Sequence, residues 1–131
     1  MNENRLADYL RHIEQAATDA CSFAEGLTKE AFLADKRSKS AVVMCLIVIG
    51  EAATKIMDQD AAFWQAHPLV PWRSMRGMRN RIAHGYFEIN FEVVWETVRT
   101  ALPALLEQLP AVRAAADNET TDANERVKPT R

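Results

Sequence analysis

Residues 79–86, with the sequence RNRIAHGY, bring together the side chains of this chain that are best suited to chemistry. Guanidinium, carboxamide, imidazole and phenol groups follow one another around a single glycine. The chain carries no acidic residue between Asp60 and Glu88, although this stretch holds two histidines and four arginines: Arg73, Arg76, Arg79 and Arg81. A solvated helix face usually mixes both signs of charge, so this segment is predicted to meet an anion.

Helical geometry places most of these polar groups on one face. Each residue of an α-helix advances about 100° around the axis. Met75, Met78 and Ile82 then form an apolar stripe that faces the core. Beside it lies Arg79, and the positions i, i+4 and i+8 give a continuous polar stripe of Arg76, Asn80 and His84.

The residue types in this polar stripe suit the cleavage of RNA. Arginine presents a planar fork that fits phosphate oxygens, and histidine is the side chain that best moves protons near neutral pH. A base that removes the 2′-hydroxyl proton, with cations around the phosphorus, would cut RNA without a metal ion. No metal is expected because carboxylates are absent from the patch. Taken alone, the pattern fits equally well a surface helix whose arginines bind solvent or the acidic face of a partner.

The elements that must position these groups are predicted to be helices, since no part of the chain alternates like a β-strand. The fold class is therefore all-α. Apolar periodicity and stop signals indicate helices over roughly residues 3–25, 28–34, 38–57, 59–66, 71–85 and 91–109.

Local signals refine these boundaries. Ser38 or Ser40 is predicted to cap the third helix, and Gly85 to end the helix that carries the motif. Pro103 should kink or restart the last helix because it lacks a backbone donor. Beyond that helix the sequence is polar and aperiodic, so residues 1–110 are predicted as the domain and 111–131 as a flexible tail.

Residues 41–50, AVVMCLIVIG, are apolar on every side of a helix, so this helix must be central or be covered by a second subunit. The run is too short for the ~20 residues of a membrane span, and the N-terminus has no apolar signal region. Cys21 and Cys45 lack metal-site spacing and are predicted to be reduced core residues of a cytoplasmic protein. The net charge of −2 provides no global attraction for nucleic acid.

The motif resembles a known pattern. Arg79 and Asn80, three further residues, then His84, Gly85 and Tyr86 resemble the R-x4-6-H-x-Y motif of HEPN-domain proteins. More closely, the chain resembles HepT toxins, which are encoded beside a minimal nucleotidyltransferase antitoxin, MntA. The resemblance covers roughly residues 3–109 and is carried by LIVIGEAATKI, PWRSMRGMRNRIAHGYFEIN and VVWETVRTALPALLEQL.

This resemblance implies a HEPN-type bundle of four to five helices that forms a two-fold homodimer with the motif helices facing each other. It implies metal-independent endoribonuclease action on tRNA or mRNA, without a cofactor and without a membrane. Arg79 and His84 would be catalytic, with Asn80 and Arg76 supporting them from both subunits. It further implies that the cognate MntA-like nucleotidyltransferase transfers AMP onto Tyr86 and so neutralises the toxin.

Several residues keep two interpretations. Arg76 either contacts RNA phosphate or forms a salt bridge. Glu51 interrupts an apolar helix and is expected to pair with an arginine of the motif helix, with general-base catalysis as the lesser alternative. The three tryptophans are expected to anchor the core or an interface rather than to stack on bases: Trp64, Trp72 and Trp95. At the level of function, the alternative to a ribonuclease is a non-catalytic HEPN module that binds nucleotide or RNA for a partner nucleotidyltransferase.

Overall fold

The structure, a computed structural model, describes the backbone of residues 5–127 and the side chains of residues 5–118. This part of the chain is helical and contains no β-strand, so the all-α prediction is confirmed. The helices are α1 (Leu6–Ala24), α2 (Lys29–Ala34), α3 (Lys36–Gln59), α4 (Ala61–Ala66), α5 (Trp72–His84), α6 (Phe91–Glu96) and α7 (Leu102–Val127). A 3-10 turn (Tyr86–Glu88) follows α5, and a π-helical turn (Thr97–Ala101) joins α6 to α7. The predicted start of the first helix near residue 3 lies outside the described residues.

The N-terminus of α3 differs from its prediction, because Asp35 caps it in place of Ser38 or Ser40. The Asp35 carboxylate accepts hydrogen bonds from the backbone N–H groups of Arg37 and Ser38. It also accepts one from the Ser38 hydroxyl at 2.7 Å. These hydrogen bonds favour the charged form and lower the pKa of Asp35. An ionised cap suits the positive end of the helix dipole, so the helix begins two residues earlier than predicted.

Helix α3 is the central helix of the bundle. It packs against α1 on one side and α5 on another, while α1 also packs against α7. On its buried face Val42 has no solvent exposure, and Ile49 and Ile56 are nearly as buried. By length and apolar composition α3 could cross a membrane, but 56% of its most apolar window is buried within the protein, as in a core helix.

A single chain does not cover residues 41–50 on every side, although α3 is central, so cover by a second subunit stays a prediction. Met44 is 60% exposed and Val48 is 37% exposed, and they lie one turn apart on α3. We call them the uncovered α3 strip. Of the two cysteines, Cys45 is buried and Cys21 is partly buried, and neither forms a disulfide bond. Burial raises the pKa of both thiols, which keeps them protonated.

The last helix also extends beyond its prediction. The π-helical turn ends immediately before α7, so Pro103 lies in the first turn of α7, where a missing backbone N–H is tolerated. Helix α7 then runs through Pro110 to Val127 instead of ending near Leu109. Val112 and Ala116 are buried and hold this continuation against the bundle, so the first part of the predicted tail, residues 111–118, packs as a helix. Residues 128–131 of that tail lie outside the described residues.

Candidate active site

Helix α5 is held against α3 at an unusually close crossing. A Cβ atom placed on Gly50 would lie 2.2 Å from Cβ of Arg79 and 2.8 Å from the carbonyl oxygen of Met75. No other residue type fits there without a shift, so Gly50 sets the distance between the two helices. On α5, Trp72 and Ile82 are buried, and their burial fixes the rotation of α5 about its axis.

This crossing seats the Arg79 side chain against Gly50, Glu51 and Thr54, which lie within about one turn of α3. Nη1 of Arg79 donates to Oε2 of Glu51 at 3.0 Å, and Nη2 donates to Oγ1 of Thr54 at 3.0 Å. The Thr54 hydroxyl in turn donates to the carbonyl oxygen of Gly50 at 2.8 Å. Because the hydroxyl hydrogen of Thr54 is donated to Gly50, the Thr54 oxygen accepts the hydrogen bond from Arg79.

The Arg79 guanidinium is thus held in one orientation at the edge of the protein. Its side chain is only 22% exposed, whereas that of Glu51 is 50% exposed. Nε of Arg79 is buried and has no hydrogen-bond partner among the described residues. A guanidinium has five N–H groups, so the second hydrogens on Nη1 and Nη2 remain for an anion.

The ion pair confirms the structural interpretation of Glu51 and corrects another expectation. Glu51 does pair with an arginine of the motif helix, and the partner is Arg79. The patch is therefore not free of carboxylates, because α3 supplies one that lies outside the acid-free stretch of sequence. An absence of carboxylates is therefore not a reason to expect that this patch binds no metal. Within the described residues, no three histidine, cysteine, aspartate or glutamate side chains lie together as metal ligands would.

The polar stripe predicted on α5 lies at the surface. His84 and Asn80 are exposed and Arg76 is half-buried. In the part of the chain that the structure describes, none of the three forms a side-chain hydrogen bond or ion pair. Eight residues of helix place Arg76 and His84 about 12 Å apart along the axis. Their side chains are available to a ligand, and Arg79 stands beside them with its orientation already set.

Tyr86 lies just beyond this stripe, on the 3-10 turn that follows Gly85. Its ring is 64% exposed and meets the ring of Phe87 edge to face, with centroids 5.6 Å apart. Phe87 is 96% exposed. The phenol is therefore at the surface and outside the core.

The tryptophans mostly follow their prediction. Trp72 and Trp95 are buried in the core, and Nε1 of Trp72 donates to the carbonyl oxygen of His67 at 3.0 Å. Trp64 is half-buried, and the guanidinium of Arg73 lies 5.1 Å from its ring centroid. Two of the three are thus unavailable for stacking on bases.

Gly50 and Thr54 are the residues of the site that sequence reasoning missed. Their signal was a glycine within an otherwise strongly apolar helix, which costs helix stability and so implies a close packing contact. A threonine one turn later shares its face of the helix. The pattern could have identified a crossing point, although not which helix crosses there.

The chain is similar to proteins that are named as ribonucleases. Residues 13–112 match the family model described as "Ribonuclease HepT-like". The chain is 36% identical to "Probable ribonuclease HepT" of Thermococcus cleftensis, over 81% of this chain and 94% of the relative. It is 32% identical to a protein named "Putative RNase" in Methanocaldococcus jannaschii, over 86% of this chain and 90% of the relative. A third relative, also named "Putative RNase", from Caldanaerobacter subterraneus, is 33% identical over 79% of this chain and 90% of its own length.

No solved structure gives a significant match to the chain. The family match nevertheless spans the bundle from α1 into α7, and it includes the α3–α5 crossing that holds Arg79. By this match, the chain belongs to the HepT-like ribonuclease family.

Proposed function

We propose that the protein is a metal-independent endoribonuclease that cuts tRNA or mRNA and acts as the toxin of a toxin–antitoxin pair in the cytoplasm. The observation that carries the proposal is the side chain of Arg79, held by Glu51 and Thr54 on the same helix that presents the exposed imidazole of His84 five residues later. A fixed cation and a free proton-transfer group on one surface match the two requirements of RNA cleavage by its own 2′-hydroxyl.

In this mechanism His84 removes the proton from the 2′-hydroxyl of the substrate. The 2′-oxygen forms a bond to phosphorus, and the bond from phosphorus to the 5′-oxygen breaks. The leaving 5′-oxygen takes up a proton, which leaves a 2′,3′-cyclic phosphate and a 5′-hydroxyl end. Arg79 stabilises the charge that develops on the phosphoryl oxygens, while Arg76 and Asn80 hold the strand beside it.

The test is cleavage of RNA by the purified protein in EDTA. The wild type should produce 5′-hydroxyl ends, and Arg79→Ala or His84→Ala should lower the rate by at least about a hundredfold. Arg81→Ala and His12→Ala remove the same groups from exposed positions outside the stripe and serve as matched controls. Cleavage that requires magnesium, or full activity of His84→Ala, would refute the mechanism.

The proposed active form is a two-fold homodimer. The uncovered α3 strip continues along the same face of α3 to Glu51, which contacts Arg79 on α5. A two-fold contact through this face would bury the strip and bring two copies of the polar stripe together. The site would then be shared between subunits, with one copy of His84 able to act as base and the other as acid.

We further propose that a cognate MntA-like nucleotidyltransferase silences the toxin by transferring AMP to Tyr86. The exposure of this phenol supports the proposal, since an enzyme must reach the hydroxyl oxygen. The added phosphate and base would occupy the surface next to His84 and exclude the substrate by volume and charge.

Tyr86→Phe should cleave RNA at the wild-type rate and escape silencing when it is co-expressed with the nucleotidyltransferase. Tyr9→Phe alters the only other tyrosine, which is half-buried on α1, and should still be silenced. Peptide mass analysis identifies the modified residue. AMP on a different side chain, or silencing of Tyr86→Phe through modification, would contradict the assignment.

A second candidate is a non-catalytic module that binds nucleotide or RNA for the nucleotidyltransferase. The ion pair with Glu51 favours it, because a neutralised Arg79 stabilises phosphoryl charge less well. Tight RNA binding by the wild type without any cleavage would support this candidate over the ribonuclease.

A further inference from the structure

A groove opens beside the candidate active site, between the start of α3 and the turn that follows α5. Its volume is about 570 Å³, within the usual range for small-molecule sites. The walls are aromatic on one side, where Tyr86, Phe87 and Phe91 lie, and Val43 and Ile47 form part of the apolar lining. None of the residues that line it, within the described part of the chain, is acidic.

Two lysines give the groove its charge. Lys36 and Lys39 both line it from the first turns of α3. Nζ of Lys39 lies 4.7 Å from the ring centroid of Phe91, which keeps the ammonium at the groove. Neither lysine forms an ion pair among the described residues, so both charges are available to an anion.

The groove also holds the most exposed aromatic ring in the described part of the chain. Phe87 is 96% exposed, and its ring and the neighbouring Tyr86 ring meet edge to face. Aromatic rings along a basic groove are the usual way in which proteins bind single-stranded nucleic acid without reading its sequence. The groove begins two residues beyond His84, so a strand that passes the polar stripe reaches it directly.

We propose that this groove binds one nucleotide of the RNA strand next to the bond that is cut. The base stacks against Phe87, and the phosphate lies at Lys36 and Lys39. The inference rests on the proposed ribonuclease function and adds to it a defined contact for the flanking nucleotide. It predicts affinity for unpaired RNA with little preference for sequence, because every base offers a flat face.

Of the uncovered α3 strip, Met44 lines the groove and Val48 does not, so the proposed dimer contact and the groove share one residue. For the rest of the groove, charge favours a nucleic acid over a second copy of this chain as the occupant. A protein surface closing over the groove would bury two ammonium groups, and a buried charge without a partner is costly. The groove residues supply no carboxylate to neutralise them. A phosphodiester strand brings its own negative charge and leaves the lysines at the solvent edge.

The test separates binding from cleavage by using RNA that cannot be cut. The probes are a fluorescein-labelled octamer of 2′-O-methyl adenosine and an octamer with the same backbone but no bases. Fluorescence anisotropy gives the affinity of each probe for the full-length wild type and for Phe87→Ala. Leu69→Ala, at another exposed apolar residue, is the matched control.

The wild type should prefer the probe with bases by about 5- to 150-fold, the range that one stacked base provides. Phe87→Ala should lose most of this preference while binding the baseless probe as before, and Leu69→Ala should keep it. The double variant Lys36→Ala, Lys39→Ala should lose affinity for both probes by the same factor. Its plot of log affinity against log salt should be shallower by about 0.7 for each lost phosphate contact. Arg11→Ala, which removes an exposed charge on α1, should leave the slope unchanged.

The inference would be overturned if Phe87→Ala lost affinity for both probes equally, or if it kept the wild-type preference for the probe with bases. It would also be overturned by a wild-type dimer that becomes a monomer in Phe87→Ala by sedimentation, since a second subunit would then be the occupant. Cleavage of natural RNA is measured separately on the wild type. If the wild type cleaves natural RNA but does not prefer the probe with bases, only the proposal for the groove is contradicted. If it prefers the probe with bases but does not cleave RNA, only the proposed ribonuclease function is contradicted.

Discussion

At the scale of single residues, the position of Arg79 matters more than the stability that its ion pair contributes. The pair with Glu51 is half-exposed on the glutamate side, and such pairs contribute about 0–1 kcal/mol. Its main effect is geometric, because Glu51 and Thr54 together hold both terminal nitrogens of the guanidinium. A guanidinium fixed before the substrate arrives needs no reorganisation as charge develops on the phosphate.

Thr54→Val tests this positioning role with almost no change in volume. It removes the acceptor for Nη2 of Arg79, and we expect kcat for RNA cleavage to fall by roughly ten- to a hundredfold, with little change in KM. Single-turnover kinetics and thermal unfolding are measured together. Thr100→Val is the matched control, since the Thr100 hydroxyl contacts only Glu96 on the surface.

A positioning role also predicts that Glu51→Gln and Thr54→Val combine less than additively, because they act on the same guanidinium. A wild-type kcat for Thr54→Val would rule the role out. A loss of activity that merely follows a lower unfolding temperature would also count against it.

At the scale of elements, the decisive feature is the crossing of α3 and α5 at Gly50. The missing side chain lets the backbone of one helix approach Cβ of Arg79 on the other. A wider crossing would move the guanidinium away from both of its partners on α3. The glycine therefore serves the packing of the bundle and the geometry of the site at once.

Two glycine substitutions separate the crossing from ordinary helix propensity. Gly50→Ala should lower the free energy of unfolding by about 1–3 kcal/mol, because its Cβ overlaps the Arg79 side chain and the Met75 carbonyl. Gly77→Ala should raise it by up to ~1 kcal/mol, since its Cβ meets only the end of Arg81 at 3.5 Å and alanine favours the helix. Urea unfolding of both variants provides the comparison, and equal stabilities would contradict the proposed crossing.

At the scale of the whole molecule, the uncovered α3 strip is an apolar surface on the central helix that a single chain leaves exposed. Met44 and Val48 lie in the middle of the most apolar helix, yet they face solvent. They lie on the same helix face as Glu51, and so close to the candidate active site. Assembly through this face would link the formation of the dimer to the formation of the site.

Val48→Glu should therefore convert the proposed dimer into a monomer and abolish RNA cleavage, although Arg79, His84 and the residues that line the groove are unchanged. Sedimentation velocity at micromolar concentration measures the first effect and a cleavage assay the second. Phe23→Glu places the same charge at an exposed apolar position on α1 and should affect neither. A monomeric wild type that cuts RNA would contradict the shared site.

Mixing subunits tests the shared site directly. An Arg79→Ala chain and a His84→Ala chain are each expected to be inactive alone. Their mixed dimer should recover part of the activity if each cleft uses groups from both subunits. If the mixed dimer recovered no activity, each site would be complete within one chain.

The sequence by itself determined the features that depend on neighbouring residues. Helical periodicity predicted a helix over residues 71–85 with Met75, Met78 and Ile82 on its buried side. Helix α5 runs from Trp72 to His84, with Met75 and Ile82 buried and Met78 partly buried. The buried positions of Trp72 and Trp95, and an arginine partner for Glu51, could also be inferred. These properties follow from spacings of three or four residues and from the cost of an unpaired charge, which a single chain segment reveals.

Only the tertiary structure decided which groups meet. Arg79 and Glu51 are 28 positions apart, and periodicity carries no information about contacts between helices. The same limit hid the role of Gly50, the groove that joins Lys36 to Phe87, and the packing of residues 111–118 against the bundle. Each of these depends on how closely and at what angle two helices approach. That geometry is set by side chains from both helices together, so neither segment of sequence contains it alone.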